Sequence, residues 1–251
     1  MNSRRILAAG VVFACTALTP AHAGTVLVWS EGNNLGNTAA IATWLQASGD
    51  FTSVTGIDSD STLSLATLES YNEVLFFTNS SNAGIDPAAT GNVLDSYAAT
   101  GDRLVLATFS WADQGVNTLT GAIITNGDSP FTWTGTTLYK DATMASNNGS
   151  SFFAGVNSVT GYFRDDVTLT SGATLLASWS DGTPMEAIKG NVVAVDLFPD
   201  DFFGKVSGDY RQLFIDALAG TSNSASTPEP ATLGFVGLAL AGLAAARRRT
   251  I

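Results

Sequence analysis

Val74-Leu75-Phe76-Phe77-Thr78 is apolar without alternation until its last residue. A run of that length with both faces greasy reads as a strand covered on both sides, which occurs chiefly in parallel sheets flanked by helices. Its neighbours repeat the theme. Thr25 to Trp29 is a short apolar strand, and residues 37–48 read as a helix with Ile41, Trp44, Leu45 and Ser48 on one face. Phe51 to Ile57 is a second strand, and Leu63 to Glu69 a short helix capped by Thr62. Asp86-Pro87 then supplies an N-cap and a first-turn proline, Val93, Leu94, Tyr97 and Ala98 an apolar stripe, and Gly101 a stop. Leu104 to Phe109 is the fourth strand. Successive strand–helix units require right-handed crossovers, so the expected class is α/β, a mostly parallel sheet flanked by helices.

The second half is richer in β-structure. Residues 116–163 carry many Gly, Asn, Ser and Thr, with turn signals at Gly127-Asp128-Ser129-Pro130 and Asn147-Asn148-Gly149-Ser150, and do not resolve into elements. Thr174 to Ser178, Met185 to Lys189 and Val192 to Leu197 read as strands, the last two joined in a hairpin by Gly190-Asn191. A helix over 209–219 closes the domain, with Tyr210, Leu213, Phe214, Ala217 and Leu218 on one face. Residues 24–220 thus form one α/β domain, followed by a Ser/Thr tether over 221–227.

The ends are of another kind. Arg4-Arg5, an apolar stretch from Ile6 to Leu18 and Ala21-His22-Ala23 compose a secretory signal peptide over residues 1–23, with cleavage expected before Gly24. The single His, His22, and the single Cys, Cys15, leave with it. The mature chain then has no imidazole and no thiol, which excludes a Ser-His-Asp triad, a Cys nucleophile, a disulfide and any His/Cys zinc site. Five of the eleven basic residues but only one of the 22 acidic ones lie in the two ends, leaving six against 21. Such an acidic chain repels nucleic acid and anionic lipid. It attracts cations, or simply gains the solubility an exported protein needs.

At the other end Pro228-Glu229-Pro230 precedes about 16 apolar residues, Ala231 to Ala246, and then Arg247-Arg248-Arg249. The apolar run falls at or just under the roughly 17–25 residues of a membrane-spanning helix, and the arginines would stay cytoplasmic. Residues 228–251 resemble the PEP-CTERM sorting signal of Gram-negative bacteria. The resemblance implies export, transient insertion in the inner membrane, processing near the Pro-Glu-Pro motif by an exosortase (a membrane-embedded cysteine transpeptidase), and a final place at the cell surface or in the extracellular matrix. A permanent C-terminal anchor is the alternative.

The order of elements from Val26 to about Leu218 resembles a class I glutamine amidotransferase-like domain, a flavodoxin-like relative. The resemblance rests on the strand ending at Phe77, the Val93–Ala98 helix leading into Arg103-Leu104-Val105-Leu106-Ala107, and the late Val192–Phe198 strand with its terminal helix. That family sets a Cys on a tight elbow after a central strand, with a His and an acid downstream. Here the elbow is Thr108-Phe109-Ser110-Trp111, with Ser110 in place of Cys and no downstream His. The resemblance therefore implies the scaffold without the family's catalytic machinery, and no catalytic residue is assigned.

Open parallel sheets bind ligands where strands end at their carboxyl side. Three loops are expected there, offering Glu31, Asn33 and Asn34, then Asn79, Ser80 and Asn82, then Ser110, Trp111 and Asp113. Amides, hydroxyls, carboxylates and one aromatic plate are the groups that recognise sugars, although Gly, Asn and Ser also serve plain turns. Other readings are poorer. The first loop lacks phosphate-loop glycine spacing and Lys. Asp58-Ser59-Asp60 begins like a calcium loop but has Leu63 where the sharp turn needs Gly. Asp165-Asp166 and Asp200-Asp201 read as solvated turn pairs, so neither metal nor cofactor is expected. The reading is a non-catalytic module near extracellular polysaccharide. The alternative is a secreted hydrolase using carboxylates such as Glu31 and Asp113, or Ser110.

Overall fold

A computed structural model of the chain describes residues 24–31, 37–78, 86–111 and 118–220. The strands are β1 Thr25–Glu31, β2 Ser53–Ser59, β3 Glu73–Thr78, β4 Arg103–Ala107, β5 Phe131–Asn147, β6 Val159–Leu169, β7 Thr174–Trp179, β8 Pro184–Lys189, β9 Val192–Val195 and β10 Val206–Gly208. The helices are α1 Asn37–Ser48, α2 Leu65–Leu68, α3 Pro87–Ala98, α4 Ala122–Thr125 and α5 Tyr210–Ala219. All ten strands join one sheet in the order β10-β6-β5-β7-β8-β9-β4-β3-β1-β2.

The sheet has two characters. β2, β1, β3, β4 and β9 pair in parallel, and their order is the flavodoxin-like 2-1-3-4-5 with β9 in fifth place. From β9 outward every pair is antiparallel. The expectation of a mostly parallel sheet is corrected to a mixed one. The reason is local: Gly190-Asn191 is too short to cross over, so β8 must run against β9. Residues 131–169 fold into the long β5–β6 ribbon, which bulges between Trp133 and Thr137 and between Tyr139 and Ala142.

Strand alternation sorts the core into two layers. Val26, Val28, Leu75, Phe77, Val105 and Ala107 face α1 and α5 in one cluster, while Leu27, Trp29, Val74, Phe76, Leu104 and Leu106 face α3 in the other. All are buried, and each large apolar side chain contributes about 1.5–3 kcal/mol by leaving water. α3 starts as its sequence dictates, with Asp86 accepting from Ala88 N and Ala89 N, each at 3.1 Å. Gly91 lets α3 approach the segment before α4, since a Cβ there would stand 1.7 Å from Thr120 O. Two details differ from expectation. Ser64, not Thr62, caps α2, accepting from Thr67 N, and Ser48 at the end of α1 is exposed.

Both ends of the domain meet at the edge where the parallel strands begin. Arg103, the first residue of β4, donates to Gly220 O at 3.1 Å and to Asn191 O at 3.4 Å. Gly24, just before β1, lies against Glu73 at the start of β3. Among the described residues no helix is long and apolar enough to cross a membrane. The expected signal peptide over 1–23, the expected tether over 221–227 and the sorting tail lie outside them.

Candidate functional site

The neighbours of β1, β2 and β3, continue the chain in opposite directions, so the switch point lies at the carboxyl ends of β1 and β3. Glu31 ends β1 there and is 1% exposed. Thr90 Oγ1, from α3, donates to Glu31 Oε1 at 2.6 Å, and the Thr90 hydroxyl meets that of Thr62 at 2.8 Å. Burial pushes the Glu31 carboxyl up to about 7, opposed by the Thr90 hydrogen bond and reinforced by the charge of Asp86. A carboxyl poised near neutrality at a switch point can give or take a proton, or donate a hydrogen bond while protonated. Its expected companions, Asn33, Asn34, Asn79, Ser80, Asn82 and Asp113, lie outside the described residues.

The elbow after β4 is a closed turn. Ser110 N donates to Ala107 O at 2.9 Å, and Leu119 N donates to Ser110 O at 2.9 Å. Ser110 is fully buried, with its Oγ 3.5 Å from Phe76 O. Trp111 is 1% exposed, donates from Nε1 to Ser129 Oγ at 3.0 Å and meets Phe131 edge-on at 5.2 Å. The expected aromatic plate at Trp111 is therefore a core residue, and the Ser110 hydroxyl points into the sheet.

Below this turn lies a buried acid pair, one member of which the sequence pattern assigns to a solvated turn. Asp165 sits within β6 and Asp196 directly after β9, both fully buried. Asp196 accepts from Asp165 N at 2.6 Å, Thr108 Oγ1 at 3.0 Å and Trp179 Nε1 at 3.2 Å. Burial and the charge of Asp165 hold its pKa well above the carboxylate range. Next to it the buried Arg164 guanidinium lies 5.2 Å over Trp179 and pairs with Asp181 at 2.7 Å. These groups tie β6, β7 and β9 together. Of the second Asp pair, Asp200 accepts from Asn37 Nδ2 at 2.6 Å, and Asp201 is exposed. Among the described residues no group of three or more His, Cys, Asp or Glu is placed to hold a metal ion.

A chain of rings leads from the core to the surface on the same side. Phe77, at the end of β3, meets Phe198 at 5.4 Å, and Phe198 meets Phe109 at 5.9 Å. Phe109 packs on Phe163 at 6.0 Å and on Tyr139 at 6.1 Å. Tyr139 stacks on Tyr162 with centroids 6.1 Å apart and planes 25° apart, and Lys205 Nζ lies 4.5 Å over the Tyr162 ring. Tyr139 is 47% exposed. Immediately along the chain from Lys205, an open cavity of about 560 Å³ is lined by Asp201, Ser207, Asp209, Arg211 and Gln212 among others. Sequence reasoning missed this surface because Tyr139 and Tyr162 lie in the segment whose strands show no clear register. An aromatic pair in an otherwise Thr- and Gly-rich stretch was the available signal.

Residues 226–249 match the PEP-CTERM protein-sorting motif, which marks a chain exported through the cell envelope and processed by an exosortase. No curated protein matches the chain. Among solved structures, a cytoplasmic protein of Salmonella typhimurium is similar at TM-score 0.58 and 9% identity, over 77% of this chain and 97% of its own. A protein described as ThuA-like from Bacteroides uniformis is similar at TM-score 0.54 and 11% identity, over 82% and 94%. A protein described as a GMP synthase component from Thermoplasma acidophilum is similar at TM-score 0.53 and 11% identity, over 77% and 92%. Likeness at such identities concerns fold alone: the domain is a mixed α/β fold with one large sheet, similar to the folds of these proteins.

Proposed function

For an exported chain that carries a PEP-CTERM motif on a glutamine amidotransferase-like fold, we propose a non-catalytic module that binds extracellular polysaccharide at the surface of a Gram-negative cell or in its matrix. The observation that carries this reading is the half-exposed Tyr139 ring, backed by Tyr162 and Lys205. A tyrosine ring held by aromatic neighbours and still 47% exposed presents that exposed part to the C–H face of a sugar ring at little entropic cost. Amide, guanidinium and carboxylate groups lining the neighbouring groove suit the ring hydroxyls. Gly220, the last described residue before the tether, is held by Arg103 at the edge where the parallel strands begin.

Ser110 is the weaker arm of the hydrolase alternative. Ser110 is buried, and Lys189, a possible base, donates to Gly127 O and Ser171 O instead. Ser110→Ala is expected to leave stability and function unchanged. The binding reading is tested by co-sedimentation of the exported chain with the producing organism's extracellular polysaccharide. Tyr139→Ala should weaken retention at least tenfold, and equal retention of the two proteins counts against it.

A further inference from the structure

Glu73 is a buried acid at a strand start. It opens β3, 2% exposed, in register with Arg103 at the start of β4. Its carboxylate lies against the Cα of Gly24: a Cβ built on that glycine would stand 2.2 Å and 2.3 Å from the two Glu73 oxygens. Gly24 is itself buried and pinned. Its carbonyl accepts from Thr52 N at 2.9 Å, and the next residue donates from Thr25 N to Asn72 Oδ1 at 2.9 Å. The residue expected to begin the mature chain is thus one that cannot carry a side chain without displacing a carboxylate, and its backbone nitrogen is one bond from the carbon that carboxylate touches.

We propose that Glu73 is the built counter-charge for the α-ammonium group that signal-peptide removal creates at Gly24. The inference rests on the reading of cleavage between Ala23 and Gly24. Hydrolysis of that peptide bond consumes one water, leaves a carboxylate on Ala23 and converts a neutral amide nitrogen into an ammonium on Gly24. A new positive charge then appears beside Glu73, at the edge where the domain's two ends meet.

The other charged and titratable groups facing Glu73 act in both directions. Asp102, after α3, repels it, and the Tyr97 hydroxyl, on α3, donates to Tyr71 O. Arg103 attracts it, but directs its guanidinium at the carbonyls of Asn191 and Gly220. With Arg103 in place burial still holds the carboxyl up at about 7, so a further cation beside it would draw it toward full ionisation. An unprocessed chain presents a neutral amide there, and a processed chain an ammonium.

The test uses the full chain exported through its own signal peptide. Intact mass first identifies the N-terminal residue, expected to be Gly24. The pH dependence of α-amine acylation, read by mass spectrometry, then gives the α-ammonium pKa. A free α-amino group titrates at about 7.7–8.0. The expected value is at least about one pH unit higher, returning to the ordinary range in Glu73→Gln; should that variant fail to accumulate, Glu73→Asp with its shorter reach should fall between. An ordinary pKa on a chain that starts at Gly24 overturns the counter-charge. A chain that starts elsewhere overturns it too, and the mass tells that failure of the cleavage reading apart from the first.

Discussion

The hydroxyl of Thr90 donates a 2.6 Å hydrogen bond to the Glu31 carboxyl, joining the first turns of α3 to the end of β1. The contact fixes the one acid at the switch point that sequence reasoning selects and the structure describes. It stabilises the charged form, yet burial outweighs it and the carboxyl titrates near 7.

Glu31 should make the protein less stable as pH rises toward neutrality. In the unfolded chain its carboxyl ionises near 4.5, in the folded chain near 7. Below the first value both states hold the proton; between the two only the folded state does. Stability is therefore full below about pH 4.5 and is lost as pH rises through 7, with a slope of up to about 1.4 kcal/mol per pH unit from this group. Glu31→Gln keeps an acceptor for Thr90 and should flatten the slope between pH 5 and 7.5 in urea titrations. An unchanged slope would show that Glu31 does not titrate in this window.

Glu186 is a burden on the fold. It is fully buried in β8, and among the described residues neither carboxyl oxygen has a hydrogen-bond partner. Burial and the charge of Asp216 raise its pKa well above the ordinary range. Glu186→Met fills similar volume without a charge and should stabilise the protein at pH 7 by about 1 kcal/mol or more. A lower melting temperature would mean that the carboxyl has a structural partner after all.

Asp181 should act in the opposite sense. The Arg164 guanidinium and the Thr183 hydrogen bonds hold its carboxyl down at about 2 despite partial burial. Its contribution is present above about pH 4 and lost as pH falls through 2. Asp181→Ala leaves a buried guanidinium short of its counter-ion, and, since solvent reaches Asp181 and screens the pair, should cost on the order of 1–2 kcal/mol by chemical denaturation. A loss under about 1 kcal/mol would place the stabilising role in the Arg164 bonds to Lys140 O instead.

The parallel half of the fold was legible because burial on two faces writes itself into sequence. Phe76 and Phe77 belong to opposite cores, and a strand that feeds both has no polar position to spare. Asp86-Pro87 announced α3 for the equally local reason that a cap needs an acceptor and the first turn can spare an N–H. β5 was not legible. It spans 17 residues, is exposed along most of its length and is interrupted by bulges, so no period of two survives. That loss propagated to the site. Trp111 looked like a surface plate because its partner, Ser129, lies 18 residues away in the unread segment. Tyr139 went unnoticed because its neighbours Phe109 and Tyr162 come from elsewhere in the chain. Thr62 and Ser64 both suit a cap, and only the fold shows that Thr62 is engaged by Thr90.

The most direct test of a polysaccharide-binding module measures binding and cleavage in one vessel. The exported chain and its Tyr139→Ala variant would be incubated with the organism's own extracellular polysaccharide, and retention and new reducing ends followed together. Saturable retention of the wild type, at least tenfold weaker in the variant and without new reducing ends, is the predicted result. Reducing ends that accumulate with the wild-type chain would contradict it and establish a hydrolase.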